Sequence, residues 1–204
     1  MPRARPGRHG VARKSAPPWV KRDNNKVTTT EPTAKELLRR DLLKRRTARP
    51  QAALDAARAA VAAHALALAA ARAWTSVAAY RPLRTEPGSA ELLAGLSAAG
   101  LRVLTPVLLP DNDLSWTDED GRDLGVESIL DVDGLLVPAL AVDRRGHRLG
   151  RGGGSYDRVL LRVRSTPSFA LAFDDELLDQ VPADPWDQPV SGVITASTVT
   201  TFER

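Results

Sequence analysis

The stretch Asp143-Arg144-Arg145-Gly146-His147-Arg148-Leu149-Gly150-Arg151-Gly152-Gly153-Gly154-Ser155-Tyr156-Asp157 lies between an apolar run ending at Val142 and a helical pattern starting near Tyr156. Strand, glycine loop and helix in this order mark the place where open α/β sheets bind ligands, beyond the carboxyl ends of the strands. Gly150, Gly152, Gly153 and Gly154 let the backbone approach a ligand closely and take positive φ. Their N–H groups, with the start of the following helix, form a site for anions. Arg148 and Arg151 add charge-assisted hydrogen bonds to phosphate oxygens. Asp157 suits a hard cation such as Mg²⁺, which binds through few carboxylates plus phosphates. Taken alone the loop is neither a P-loop nor a dinucleotide fingerprint, and a flexible strand-to-helix turn is the rival reading.

Working outward, the flanks alternate between two periods. Thr33 and Glu36 form a capping box before Leu37, Leu38, Leu42 and Leu43 at helical spacing. Residues 51–74 are rich in alanine, the best helix former, and predict a long helix. A strand over 76–80 and a turn at Glu86-Pro87-Gly88 follow. A helix over 90–98 stops at Gly100. Strands are expected over 101–104, 114–116, 134–137, 168–173 and 193–195, with a helix over 156–163. This alternation predicts a three-layer α/β/α, Rossmann-like fold: a mostly parallel sheet with helices on both faces.

Composition narrows the function. The 204 residues contain no cysteine, which excludes disulfides, thiolate metal sites and a cysteine nucleophile. A reducing, cytoplasmic setting fits, no apolar stretch approaches the length of a membrane span, and no secretory signal is expected. His9, His64 and His147 make neither a Ser-His-Asp set nor a metal cluster. Residues 1–30 carry eight Lys/Arg against Asp23, whereas the rest has 21 basic and 24 acidic residues. Residues 1–32 are expected to be a disordered basic extension, and 33–204 one α/β domain. The extension reads as a solvated appendage or, less favoured, as a nucleic-acid or membrane-surface arm.

The segment Val137-Pro138-Ala139-Leu140-Ala141-Val142-Asp143, running into Arg148 through Arg158, resembles the signature of the 5-formyltetrahydrofolate cyclo-ligase (5,10-methenyltetrahydrofolate synthetase) family. The resemblance extends to Lys35-Glu36-Leu37-Leu38-Arg39, to Tyr80 through Glu86, to Leu171-Ala172-Phe173, and to Val181-Pro182 with Asp187. It implies ATP- and Mg²⁺-dependent cyclisation of 5-formyltetrahydrofolate to 5,10-methenyltetrahydrofolate, with ADP and phosphate released. The formyl oxygen attacks the γ-phosphorus to give an iminium phosphate; N10 then attacks that carbon and phosphate leaves. Such chemistry asks for positioning and charge neutralisation more than for a protein nucleophile.

The resemblance also implies roles. Lys35, Arg39, Arg148 and Arg151 would clamp ATP. Leu149, Gly150, Gly152, Gly153, Gly154, Ser155 and Tyr156 would complete its cradle. Asp157 and Asp187 would hold Mg²⁺, and Arg151 and Asp157 would carry the catalytic step. Arg81 and Glu86 would bind folate, with Arg151, Gly152, Gly153, Gly154 and Ser155 shared between the substrates. Trp116 either stacks on the pterin or belongs to the core. A monomer is expected, with no membrane or nucleic-acid partner.

Three positions depart from the family pattern. Ser155 stands where a tyrosine is common, and Trp186 where a histidine is common. Around Glu127 the usual Glu-Pro is missing and the loop is short, so Glu127 is the candidate to keep the glutamate's role. A non-catalytic ATP- or folate-binding regulatory module of the same fold is therefore the alternative to an active ligase.

Overall fold

The computed structural model describes residues 31–203; the basic extension and Trp19 lie outside the described residues. Helix α1 (Ala34–Ala48) opens on the expected capping box: Glu36 N donates to Thr33 Oγ1 and Thr33 N donates to Glu36 Oε2 at 2.7 Å. The chain turns extended at Arg49, as a residue preceding proline prefers, and α2 (Gln51–Ala71) starts after Pro50. Strand β1 (Ser76–Ala78), α3 (Ala90–Ala98), β2 (Arg102–Leu108) and β3 (Leu114–Thr117) follow. A 3₁₀ turn (Val126–Asp131) leads to β4 (Gly134–Pro138), β5 (Ala141–Asp143), β6 (Arg148–Leu149) and α4 (Ser155–Arg162). The chain ends with β7 (Ser168–Leu171), a 3₁₀ turn (Asp174–Glu176), β8 (Leu177–Leu178), β9 (Gly192–Ile194) and β10 (Val199–Thr201).

Seven strands form one sheet in the order β10-β9-β7-β4-β1-β2-β3. The five from β9 to β2 are parallel, and β10 and β3 close the edges antiparallel. Successive residues of a strand face opposite sides, and the core divides accordingly. Val77, Val103, Leu136 and Phe169 pack with α2 and α3 through Val61, Ala65, Leu92 and Leu96. Ala78, Leu104, Leu135 and Val137 pack with Val159 and Leu160 of α4 on the other face. Gly134 lets β4 pass under Trp74, because an added Cβ there would overlap the indole ring.

The connection leaving β1 runs to β2 on one side, while β4 pairs with β1 on the other. The sheet therefore has its topological switch point between β1 and β4, and the crevice beyond their carboxyl ends is the natural ligand position. Helix α1 lies outside this frame. It packs through Leu42 on a second, three-stranded sheet, β6-β5-β8, whose Ala141 and Leu149 share its cluster with the preceding Leu140. Arg46 fastens α1 there. Its guanidinium meets the Glu176 carboxylate at 2.6 and 2.7 Å and donates to Ala139 O at 2.6 Å.

Some expectations shift. The strand predicted over 76–80 ends at Ala78, and β2 continues to Leu108 through Pro106 because β3 pairs with its far half. Strands β5, β6, β8 and β10 lie outside the predicted set. Helix α2 corrects the expectation that no stretch approaches a membrane span: at 21 residues and mean hydropathy 1.3 it is long and apolar enough by length and composition. Alanines raise the hydropathy without large side chains, and the helix buries Leu54, Val61, Ala65 and Ala69 against its neighbours.

Candidate active site

A cavity of about 550 Å³ opens at the switch point. Its floor is the backbone leaving β4 at Pro138, Ala139 and Leu140, and the hairpin β5–β6 that feeds the glycine loop. In that loop Gly152 (φ 108°) and Gly154 (φ 73°) adopt backbone conformations that L side chains rarely take. Gly154 is the N-cap of α4, and no side chain caps this helix start. Gly150 and Gly153 differ: neither has positive φ, and a Cβ added to them meets nothing nearer than 3.7 Å and 3.6 Å. The folded chain itself leaves room for a side chain at both.

Cations surround the loop. Arg39, one turn after Lys35 on α1, donates from Nε to Gly150 O at 2.9 Å, and its guanidinium lies beside Gly152. Arg148 is buried, donates to Asp157 Oδ1 at 3.1 Å, and keeps a buried Nε with no partner. Asp157 Oδ1 also accepts Gln188 N at 3.1 Å, which ties α4 to the segment after Val181. There Lys35 Nζ bridges two carboxylates, Asp184 at 2.6 Å and Asp187. Glu86, in the turn after β1, is 4% exposed and pairs with Arg151 of the glycine loop at 3.2 Å. Its second oxygen accepts Leu83 N at 2.9 Å, and Arg58 clamps the same turn through Glu86 O at 3.0 Å. Arg81 leans on Thr105 Oγ1 at 3.3 Å. The Tyr156 hydroxyl is buried without a partner, and burial pushes its pKa up, so the phenol stays a neutral donor.

A cradle of backbone amides, a ring of Lys and Arg side chains and a carboxylate facing apolar Leu83 and Leu108 suit a phosphorylated substrate beside a polar heterocycle. Comparison with known proteins gives the arrangement its class. The model of the 5-formyltetrahydrofolate cyclo-ligase family matches residues 31–196. The chain belongs to this family. A 5-formyltetrahydrofolate cyclo-ligase of Mycolicibacterium smegmatis is 39% identical over 193 residues, covering 80% of this chain and 94% of that protein. The Escherichia coli cyclo-ligase is 42% identical over 82 residues, covering 39% and 44%. A 5,10-methenyltetrahydrofolate synthetase from Mycoplasma pneumoniae shares the fold at TM-score 0.71 and 23% identity, covering 80% of this chain and 99% of that one. The Aquifex aeolicus synthetase does so at TM-score 0.69 and 24% identity, covering 84% and 94%. Membership makes the chain a ligase of folate metabolism.

Within this cyclo-ligase fold the expected residues converge. Lys35, Arg39, Arg81, Glu86, Arg148, Leu149, Gly150, Arg151, Gly152, Gly153, Gly154, Ser155, Tyr156, Asp157 and Asp187 all line the one cavity. Two candidates do not. Trp116 is 0% exposed and packs in the core with Leu104, Leu114 and Ile129, so of its two readings the core one holds. Glu127 sits on a 3₁₀ turn, 75% exposed and 3.8 Å from Arg162, away from the lining residues. Sequence reasoning missed Arg46 and Asp184, which also line the cavity, as does Trp186, one of the three departures from the family pattern. The run Asp184-Pro185-Trp186-Asp187 offered the signal for Asp184: a second carboxylate three residues before an expected ligand.

Asp143 supports the site from behind. Its fully buried carboxylate accepts Arg145 N, His147 N, His147 Nδ1 and Val181 N at 2.9 to 3.2 Å. It therefore joins the β5–β6 hairpin to the segment carrying Asp184 and Asp187. Burial opposes ionisation, but the hydrogen bonds from Val181, Arg145 and His147 outweigh it and hold the carboxyl below its ordinary value. A depressed folded pKa contributes stability above the unfolded value of about 3.9, lost as pH falls through the folded pKa. Urea midpoints of the parent should fall between pH 6 and pH 3, and Asp143→Asn should flatten part of that decline. An unchanged slope in the variant would remove Asp143 from the acid response.

Proposed function

We propose that the chain binds ATP and 5-formyltetrahydrofolate in this one cavity and forms 5,10-methenyltetrahydrofolate, with ADP and phosphate released. The observation that carries the reading is the unused room at Gly150 and Gly153. The fold does not require glycine there, so a ligand that needs the backbone bare explains both residues. A triphosphate fits that need, since amides can reach its oxygens only where no Cβ intervenes.

The division of labour follows from chemistry. Lys35, Arg39 and Arg148 neutralise the phosphates, and the unpartnered Arg148 Nε is a donor in reserve. Arg151, paired to Glu86 and 45% exposed, lies between the two substrates and stabilises charge developing on the transferred phosphoryl group. Glu86 accepts hydrogen bonds from the pterin edge, and Leu83 and Leu108 cover its apolar surroundings. Phosphorylation turns the formyl oxygen into a leaving group. The enzyme then needs only to hold N10 against the activated carbon and exclude water.

Mg²⁺ fits the donor set. Asp157 and Asp187 are hard oxygen donors on one cavity, linked through Gln188 N. Among the described residues no three of His, Cys, Asp and Glu converge on a metal site, so phosphate oxygens would complete its coordination. Bound there, the ion would neutralise phosphate charge. Lys35 bridges Asp184 and Asp187, so its ammonium is the group a bound cation would replace.

Absorbance of methenyltetrahydrofolate formed from 5-formyltetrahydrofolate, with and without Mg-ATP, tests the reading. Product that depends on ATP is the expected result. A folded protein that binds ATP and makes none would be the non-catalytic module instead.

A further inference from the structure

We propose that Trp186 is the stacking platform for the purine of the nucleotide, an inference that rests on ATP occupying this cavity. Three aromatic residues line it: Tyr80, Tyr156 and Trp186. Tyr80 is 6% exposed and belongs to the core. Tyr156, half-buried like Trp186, packs against both core clusters with its hydroxyl buried, whereas Trp186 belongs to no cluster among the described residues. Trp186 is half-buried and, among the described residues, has no aromatic ring against it, because the one ring pair is Trp74 with Phe169. It therefore contributes aromatic surface to the cavity beside the Lys35, Asp184 and Asp187 cluster.

Its backbone is held on three sides. Asp187 N donates to Asp184 O at 3.0 Å, and Asp184 N donates to Asp187 Oδ2 at 2.7 Å, which closes the turn around Trp186. Gln188 Nε2 donates to Trp186 O at 2.8 Å, while Gln188 N reaches Asp157 on α4. Lys35 holds both aspartates from α1. The turn is thus tied to Lys35 and Asp157, groups assigned to phosphate and Mg²⁺, whereas the folate candidate Glu86 pairs with Arg151 and has no bond to the turn among those described. A flat, uncharged ring needing no charged partner belongs beside the phosphates it is attached to, and an indole fixed there meets that need. Stacking is indifferent to base identity, because every base has a π-face.

The test uses the full chain and three probes: Mg-ATP, Mg-GTP and inorganic tripolyphosphate, which has no base. Trp186→Ala should raise the KM for ATP and for GTP roughly ten- to a hundred-fold, as loss of one base–aromatic stack implies. The KM for 5-formyltetrahydrofolate and the affinity for tripolyphosphate should change less than about two-fold, and kcat little. Trp186→Phe should restore most of the ATP affinity. Trp74 and Trp116 are buried in the core and Trp19 is common to both proteins, so ATP should quench indole fluorescence more in the parent than in Trp186→Phe. Equal weakening of tripolyphosphate would mean general damage to the turn and overturn the proposal. A rise confined to the folate KM would assign the indole to the pterin and overturn it as well. If the parent itself binds neither ATP nor tripolyphosphate, the ATP reading falls first and takes this one with it; a defect appearing only in the variant concerns Trp186 alone.

Discussion

Gly153→Ala should leave the protein as stable as its parent and reduce kcat/KM for ATP by about a hundred-fold or more. Stability should hold because the position has no positive φ and an added Cβ would meet Ser155 Oγ at 3.6 Å, an ordinary contact. Gly→Ala at a compatible backbone even restricts the unfolded chain, for a gain of about 0.4–1 kcal/mol. Activity should fall because the methyl group takes the space through which the loop amides reach phosphate. Hydrogen bonds to charged groups contribute about 1.5–3 kcal/mol each, and about 1.36 kcal/mol is tenfold in rate. Gly154→Ala is the contrast. At φ 73° an L residue is strained by roughly 1–2 kcal/mol, so that variant should lose stability and activity together. Melting curves beside steady-state kinetics of the pair give the comparison. If Gly153→Ala turned over normally, no ligand would need that space and the cradle would be an ordinary turn.

The same two glycines show where a sequence is and is not readable. Four glycines between a strand and a helix announce a loop that must bend or be approached. Only coordinates separate Gly152 and Gly154, which the backbone requires, from Gly150 and Gly153, which it does not. The doubly buried strands β4 and β7 were legible as apolar runs because both faces are covered. The small sheet was not, since strands of two or three residues are too short to show a period. Pro106 hid the far half of β2, whose pairing with β3 tolerates it. Charge partners were the least legible. Lys35 and Asp184 are 149 residues apart, and Arg46 meets Glu176 across 130, so both pairings are products of the fold. Trp116 illustrates the limit for aromatics: a tryptophan on a strand near a site reads alike whether it faces ligand or core, and here it faces the core.

Asp157→Asn should lower kcat by about two to three orders of magnitude, on the scale that removing one preorganised electrostatic group costs. The substitution is nearly isosteric. The new side-chain amide would keep an oxygen for Gln188 N, which now donates to Asp157 Oδ1 at 3.1 Å, so the link between α4 and the Asp184–Asp187 turn should survive. What disappears is the charge opposite Arg148, whose side chain is 4% exposed. An ion pair losing one buried partner destabilises, here by about 1–3 kcal/mol for the hydrogen bond to a charged group. Activity per folded molecule must therefore be measured well below the melting temperature. Two roles are then separable by titrating Mg²⁺. If Asp157 holds the ion, the half-saturating Mg²⁺ concentration rises in the variant, and excess Mg²⁺ recovers part of the rate. If Asp157 only anchors Arg148, Mg²⁺ dependence stays put while the KM for ATP rises, because the freed guanidinium is mispositioned for phosphate. Turnover equal to the parent, per folded molecule, would take Asp157 out of the mechanism and leave its burial beside Arg148 as a packing feature of the helix start.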